Sequence, residues 1–125
     1  MAMERRFFKS KIHRATVTDA NLNYEGSLSI DPELMEAAGI LPYEKLDVVN
    51  ISTGDRFTTY AIRGKKGSGE ICLNGGAARK GQPGDLIIII TYVNLTEDEI
   101  NQFKTTAVLV DQKNKILSVK TDTII

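Results

Sequence analysis

The sequence predicts a small, mainly β domain closed into a barrel, on three observations. Most apolar residues fall in short runs rich in β-branched side chains. Turn formers separate those runs at short intervals, and only two stretches carry helix-start signals. A set of short strands this small removes its exposed edges most simply by curling on itself. The 125 residues suit one domain, 1–125, with a core of its own.

The elements follow in order. Lys11–Thr18 alternates, with Ile12, Ala15 and Val17 as its apolar members, and predicts a strand. Leu28–Ile30 is a brief extended piece. Asp31 caps a short helix with Pro32 at its first position, Glu33 in the first turn and Gly39 at the end. Its stripe of Leu34, Met35 and Ala38 suits core packing. Leu46–Ile51 and Phe57–Ile62 form a hairpin across Ser52-Thr53-Gly54-Asp55. Glycines at 64, 67 and 69 precede a strand over Glu70–Leu73. Gln82-Pro83-Gly84-Asp85 is a turn before the buried run Leu86–Val93. Thr96 and Glu99 make a capping box for a second short helix. A last hairpin joins Ala107–Val110 to Ile116–Val119 across residues 111–115.

Sixteen basic and sixteen acidic residues balance to zero, so there is no cationic excess for a nucleic-acid backbone. Cys72 is the sole cysteine, which excludes an internal disulfide and suits a reducing compartment. It reads as small core filler. Met1–Arg6 lacks the apolar centre of a secretory signal. Leu86–Ile90 is far shorter than the ~20 residues that cross a bilayer. A cytoplasmic protein without membrane or nucleic-acid partners is expected. No His or Cys pair has metal-ligand spacing, and no glycine-rich phosphate loop opens a long helix.

The segment that bears on chemistry is Tyr24-Glu25-Gly26-Ser27. Alone it reads as a tight turn with Gly26 at positive φ and a solvated hydroxyl. It is preceded by Lys11-Ile12-His13-Arg14-Ala15 and followed by Gly54-Asp55-Arg56-Phe57-Thr58-Thr59-Tyr60-Ala61-Ile62. Leu73-Asn74-Gly75-Gly76-Ala77-Ala78 and Pro83-Gly84-Asp85-Leu86-Ile87-Ile88 complete the set. In this order and spacing, from about Lys9 to about Val93, the motifs resemble the pyruvoyl-dependent aspartate 1-decarboxylase family.

That resemblance implies a double-psi β-barrel, a homotetramer and active sites between neighbouring subunits. It implies self-cleavage at Gly26-Ser27 into pieces 1–26 and 27–125, with a covalent pyruvoyl group made from Ser27. No metal and no pyridoxal phosphate take part; the pyruvoyl ketone is the electron sink, through a Schiff base with L-aspartate. Ser27 is the nucleophile, and a side-chain-free Gly26 leaves its carbonyl open to attack. Thr59 is the leading oxyanion donor, with Asn74 in support. Lys11 and Arg56 hold the substrate carboxylates, Arg56 through its planar fork. Tyr60 donates the proton. Backbone N–H groups near Gly76 and Ala77 steady the substrate, and Gly75-Gly76 permits close approach. His13 and Tyr24 support the site.

Each of these residues also has an ordinary structural reading. Lys11 and Arg56 are of a type that mostly faces water, Tyr60 can be rim packing, and Asn74 before two glycines can simply form a turn. Gly76 stands where the family commonly has alanine, and Val49 where some members carry tryptophan. A non-catalytic double-psi barrel module, and a pyruvoyl decarboxylase of another amino acid, are the competing functions. The first explains the barrel pattern and Pro83-Gly84-Asp85 but not Lys11, Arg56, Thr59 and Tyr60 around Gly26-Ser27, and the two cations favour a diacid over other amino acids.

Overall fold

A computed structural model describes residues 3–125. Nine strands form one mainly β, barrel-like sheet: β1 Glu4–Thr16, β2 Asp19–Asn21, β3 Ser27–Ile30, β4 Lys45–Asn50, β5 Arg56–Arg63, β6 Ile71–Asn74, β7 Leu86–Thr96, β8 Lys104–Val110 and β9 Ile116–Thr123. Two short helices, α1 Pro32–Ala38 and α2 Glu97–Ile100, and a 3-10 helix over Gly75–Lys80 complete the fold.

Hydrogen-bonded neighbours run in the order β2-β6-β3-β5-β4-β7-β1-β8-β9. The ladder is thus open at β2 and β9 rather than hydrogen-bonded into a ring. The chain itself bends the sheet round, because β2 follows β1 after only Val17 and Thr18 yet pairs at the far end with β6. Three pairs are parallel: β1 with β8, β2 with β6, and β3 with β5. Asn114, buried at the β8–β9 turn with φ +60°, ties this seam. Its amide donates to the carbonyls of Thr16 at 2.8 Å and Gly69 at 2.7 Å, and its oxygen accepts from the Thr16 N–H at 2.7 Å.

Inward-facing residues fill the interior: Ile12, Leu28, Ile30, Leu46, Val48, Ile71, Leu73, Ile87, Ile89 and Val108 are all shut off from solvent. They come from alternate positions, as a sheet with one buried face requires. Helix α1 closes one side with Leu34, Met35 and Ala38. Asp31 caps it, and the same carboxylate also takes the N–H groups of Gly67 and Gly69. Glu99 accepts from the Thr96 N–H and hydroxyl, as its capping box predicts.

The structure differs from the sequence reading at several ends. Strand β1 begins at Glu4, seven residues before the predicted start, because its charged first half pairs with the far end of β7. Strand β2 and the 3-10 helix are additional to the elements that the sequence predicts. Strand β9 runs on to Thr123 with every residue exposed. Cys72 is buried, but it lies outside the apolar cluster, on the face of β6 opposite Ile71 and Leu73.

Candidate active site

Strands β3 and β6 run antiparallel, with Ser27 opposite Asn74 and Ser29 opposite Cys72. Leu28, Ile30, Ile71 and Leu73 occupy the core face of this pair, so alternation turns the four small polar residues to the other face. Ser27 is 1% exposed. Its hydroxyl donates to the Glu25 carbonyl at 3.1 Å and accepts from Asn74 Nδ2 at 3.1 Å. The same Nδ2 donates to Ser29 Oγ at 2.8 Å, and Asn74 Oδ1 lies 3.2 Å from Cys72 Sγ. The tight-turn reading of the pair alone, with a hydroxyl facing water, does not hold: Ser27 is buried and its oxygen accepts from an amide.

The glycine that this turn requires is Gly75. Its φ is +62°, and a Cβ there would come within 2.7 Å of both Gly26 N and the Tyr24 carbonyl oxygen. Backbone therefore packs on backbone, and only a residue without a side chain fits. Gly26 does not have the positive φ of the tight-turn reading, and a Cβ there would meet nothing within 4 Å. Space around the uncleaved turn does not dictate glycine at 26. Gly76 is equally open, and Ala77 packs into the core cluster.

Parallel pairing of β3 with β5 sets Leu28 beside Ala61, which brings Ser27 level with Tyr60 on the outer face. Both line a cleft of about 320 Å³ together with Tyr24, Glu25, Tyr43 and Arg63. The Tyr43 and Tyr60 rings stand 6.2 Å apart and tilted by 36°. Tyr43 and Arg63 were not singled out from sequence. Tyr43 has φ +69°, an unusual backbone for tyrosine, and lies in a loop without periodicity. Thr59 is half-buried and lines an open hollow with Tyr43 and Tyr60, while the groups that touch Ser27 Oγ are Asn74 and Glu25.

The expected carboxylate binders stand elsewhere. Arg56 opens β5 four residues before Tyr60, roughly 13 Å along the strand. Lys11 of β1 pairs with Ile90 of β7, and β4 separates β7 from β5, so Lys11 is three strands from β5, roughly 14 Å across the sheet. Ile90 and Arg56 line a small hollow on this outer wall with Asp47 and Tyr92. Burial, a hydrogen bond and the charge of Asp47 push the Tyr92 phenol up, against the opposing pull of Arg56. His13 sits on the same strand as Lys11, beside a register shift and next to Arg14 at φ +62°. Its Nδ1 is buried without a hydrogen-bond partner. Burial, then the charges of Lys11 and Arg14, hold its pKa below the usual histidine value. One chain thus gathers Ser27, Gly26, Asn74, Gly75, Tyr24 and Tyr60, and leaves Lys11, His13 and Arg56 on a separate wall.

Among the described residues no cluster of His, Cys, Asp or Glu could hold a metal ion, and no helix is long and apolar enough to cross a membrane. The sequence pattern of the family described as aspartate decarboxylase matches residues 3–117, wider than the motifs alone suggested. The aspartate 1-decarboxylase of Syntrophus aciditrophicus is 60% identical over 114 residues, covering 91% of this chain and 98% of that protein. That of Pelotomaculum thermopropionicum is 60% identical, over 90% of this chain and 85% of its own length. The Wolinella succinogenes protein of the same name is 58% identical, over 89% and 92%.

Proposed function

The chain belongs to the aspartate decarboxylase family, and from that premise we propose that it converts L-aspartate to β-alanine and carbon dioxide for pantothenate synthesis. It is a carboxy-lyase that first splits its own backbone between Gly26 and Ser27. The observation that carries this reading is the buried Ser27 hydroxyl, held by Asn74 immediately after Gly26.

In the splitting step Ser27 Oγ forms a bond to the Gly26 carbonyl carbon. Its proton passes to the Ser27 nitrogen as the amide C–N bond breaks, which leaves an ester. Loss of the Ser27 α-proton then expels the Gly26 carboxylate, ending chain 1–26 and leaving a dehydroalanine at 27. Water replaces its nitrogen, ammonia departs, and chain 27–125 starts with a pyruvoyl group. The Asn74 amide donor suits that group, since a ketone oxygen accepts hydrogen bonds and cannot donate them. When formed, the group withdraws electrons from the substrate as its carboxylate leaves.

The remaining roles belong to the chain's own side chains. Thr59, on the strength of the resemblance, stabilises the oxyanion of Gly26. Tyr60, level with Ser27 in the cleft, protonates the former α-carbon. The backbone at Gly75, Gly76 and Ala77 steadies the bound substrate, with Tyr24 at the cleft mouth. Arg56 and Lys11 hold the two carboxylates of aspartate, and His13 supports Lys11. Because these cations stand on a different wall from Ser27, we assign them to the cleft of a neighbouring copy. That makes the working enzyme an oligomer, a homotetramer by the family resemblance, acting in the cytoplasm.

Purified protein incubated warm should give two polypeptides by intact mass, the larger with a blocked N-terminus, and should release β-alanine from labelled L-aspartate. A single full-length species after prolonged incubation would overturn the reading.

A further inference from the structure

We propose that Ser29 and Cys72 are positioning residues that clamp the two ends of the Asn74 amide and so aim its N–H at Ser27. The proposal rests on Ser27 being the self-splitting nucleophile, and it deepens that site.

An asparagine amide has two ends of nearly equal shape and opposite hydrogen-bonding character, so its neighbours decide which end faces a given atom. Ser27 alone cannot decide, because a hydroxyl can both donate and accept. Here Nδ2 reaches two serine oxygens, at 3.1 Å on Ser27 and 2.8 Å on Ser29. That uses both of its hydrogens. At the opposite end Oδ1, which only accepts, lies 3.2 Å from the Cys72 thiol. A thiol is a better donor than acceptor in this company, so its hydrogen belongs on Oδ1 and turns Nδ2 toward the serines. Burial, with the charges of Asp19 and Glu70, pushes the Cys72 thiol up, so it keeps that hydrogen.

The strand register makes the clamp. Ser29 is two residues from Ser27, Cys72 two from Asn74, and the four form adjacent cross-strand pairs on one face. Cys72 is 7% exposed, and Ser29 likewise. The orientation matters chemically, because a donor on Ser27 Oγ favours the oxygen as it gives up its proton. A reversed amide would present Oδ1 instead and stabilise the protonated hydroxyl.

The test follows conversion of full-length chain into its two fragments by intact mass over time. Ser29→Ala and Cys72→Ala should each slow splitting about fivefold, the rate equivalent of one neutral hydrogen bond. Cys72→Ser, which restores a donor of similar size, should return to within about twofold of the parent. A parental rate in either alanine variant overturns the clamp. So does a Cys72→Ser rate as low as that of Cys72→Ala, which would point to lost volume. The infrared S–H stretch of this single cysteine provides a readout independent of splitting, taken on Ser27→Ala chains to keep the backbone whole. It should lie at the hydrogen-bonded position and move to the free position when Asn74→Ala is added. A free-thiol band at the outset overturns the clamp even if the chain never splits, whereas failure to split with a bonded band overturns only the functional reading.

Discussion

The β3–β6 pair and the outer wall of β1, β7, β4 and β5 treat polar groups in opposite ways. On the first, Ser27, Ser29, Cys72 and Asn74 are buried and saturate one another with hydrogen bonds. On the second, Arg56 is exposed, Lys11 half-buried, and the Nδ1 of His13 is left without a partner. A buried polar network is stable only when its members are satisfied, so the first region is finished within one chain. Among the described residues Lys11 and Arg56 have no ion-pair partner, so the second region is not closed by contacts of its own. On the proposed function, splitting would draw on the first region of one chain, and decarboxylation would also draw on the second region of a neighbouring copy.

The largest expected effect breaks the first region. Ser27→Ala should abolish both splitting, seen as a single intact mass, and carbon dioxide release. Release at more than the uncatalysed level would separate the cofactor from this residue. Arg56→Ala should instead split at the parental rate while decarboxylation falls about a hundredfold, the loss of a charge-assisted pair worth about 2.7 kcal/mol. Mixing the two defective chains during refolding sharpens the comparison. If Ser27 of one copy works with Arg56 of another, mixed oligomers regain activity that neither parent has. Inactive mixtures would place both residues in one chain's site.

A smaller effect separates two adjacent glycines. Gly75→Ala forces a side chain into a left-handed backbone and against the Tyr24–Gly26 turn, where the nearest atoms are 2.7 Å away. Strain of this kind costs about 1–3 kcal/mol, so thermal unfolding should shift down and splitting should slow at least tenfold. Gly76→Ala meets open space and should change stability by no more than ~0.5 kcal/mol. Equal effects at the two positions would remove the case for close backbone approach at 75.

Much of this was readable in the sequence where the physics is local. Asp31, Pro32 and Gly39 announce α1, because cap and terminus act through their own neighbours. Runs rich in β-branched residues between turn formers announce β4, β5 and β7. The start of β1 was silent: Glu4-Arg5-Arg6 has no apolar face and becomes a strand only by pairing with β7. Strand β2, Asp19-Ala20-Asn21, is short and made mostly of poor strand formers. In the site, Ser27 meets Asn74 by a hydrogen bond and Tyr60 across a shared cleft. Their meeting needs the β3–β6 and β3–β5 registers, which no single strand encodes. Close backbone approach is expected at Gly75-Gly76 and occurs at Gly75, and the positive φ of the tight-turn reading falls there too rather than on Gly26. Arg56 lies apart from Ser27 by its position along β5, and Lys11 by strand order, and neither is a local property.

The smallest expected effect concerns how the two regions respond to acid. His13 is the chain's one histidine, and burial with the charges of Lys11 and Arg14 keeps its folded pKa below 6.5. The unfolded chain therefore takes up this proton first as the pH falls. Stability is unaffected well above the unfolded pKa and declines as the pH drops through 6.5 toward the lower folded value. Thermal unfolding followed from about pH 7.5 to about pH 5 should show that decline, and His13→Gln should flatten it. Lys11→Gln should reduce it in part, because one of the two repelling charges is gone while burial and Arg14 remain. The hydrogen bonds around Ser27 involve hydroxyl, amide and high-pKa thiol groups that do not titrate in this window. Splitting of folded protein should accordingly vary less across it than stability does. If His13→Gln keeps the parent's full pH dependence, acid sensitivity does not originate on the cationic wall, and the contrast between the two regions loses its electrostatic half.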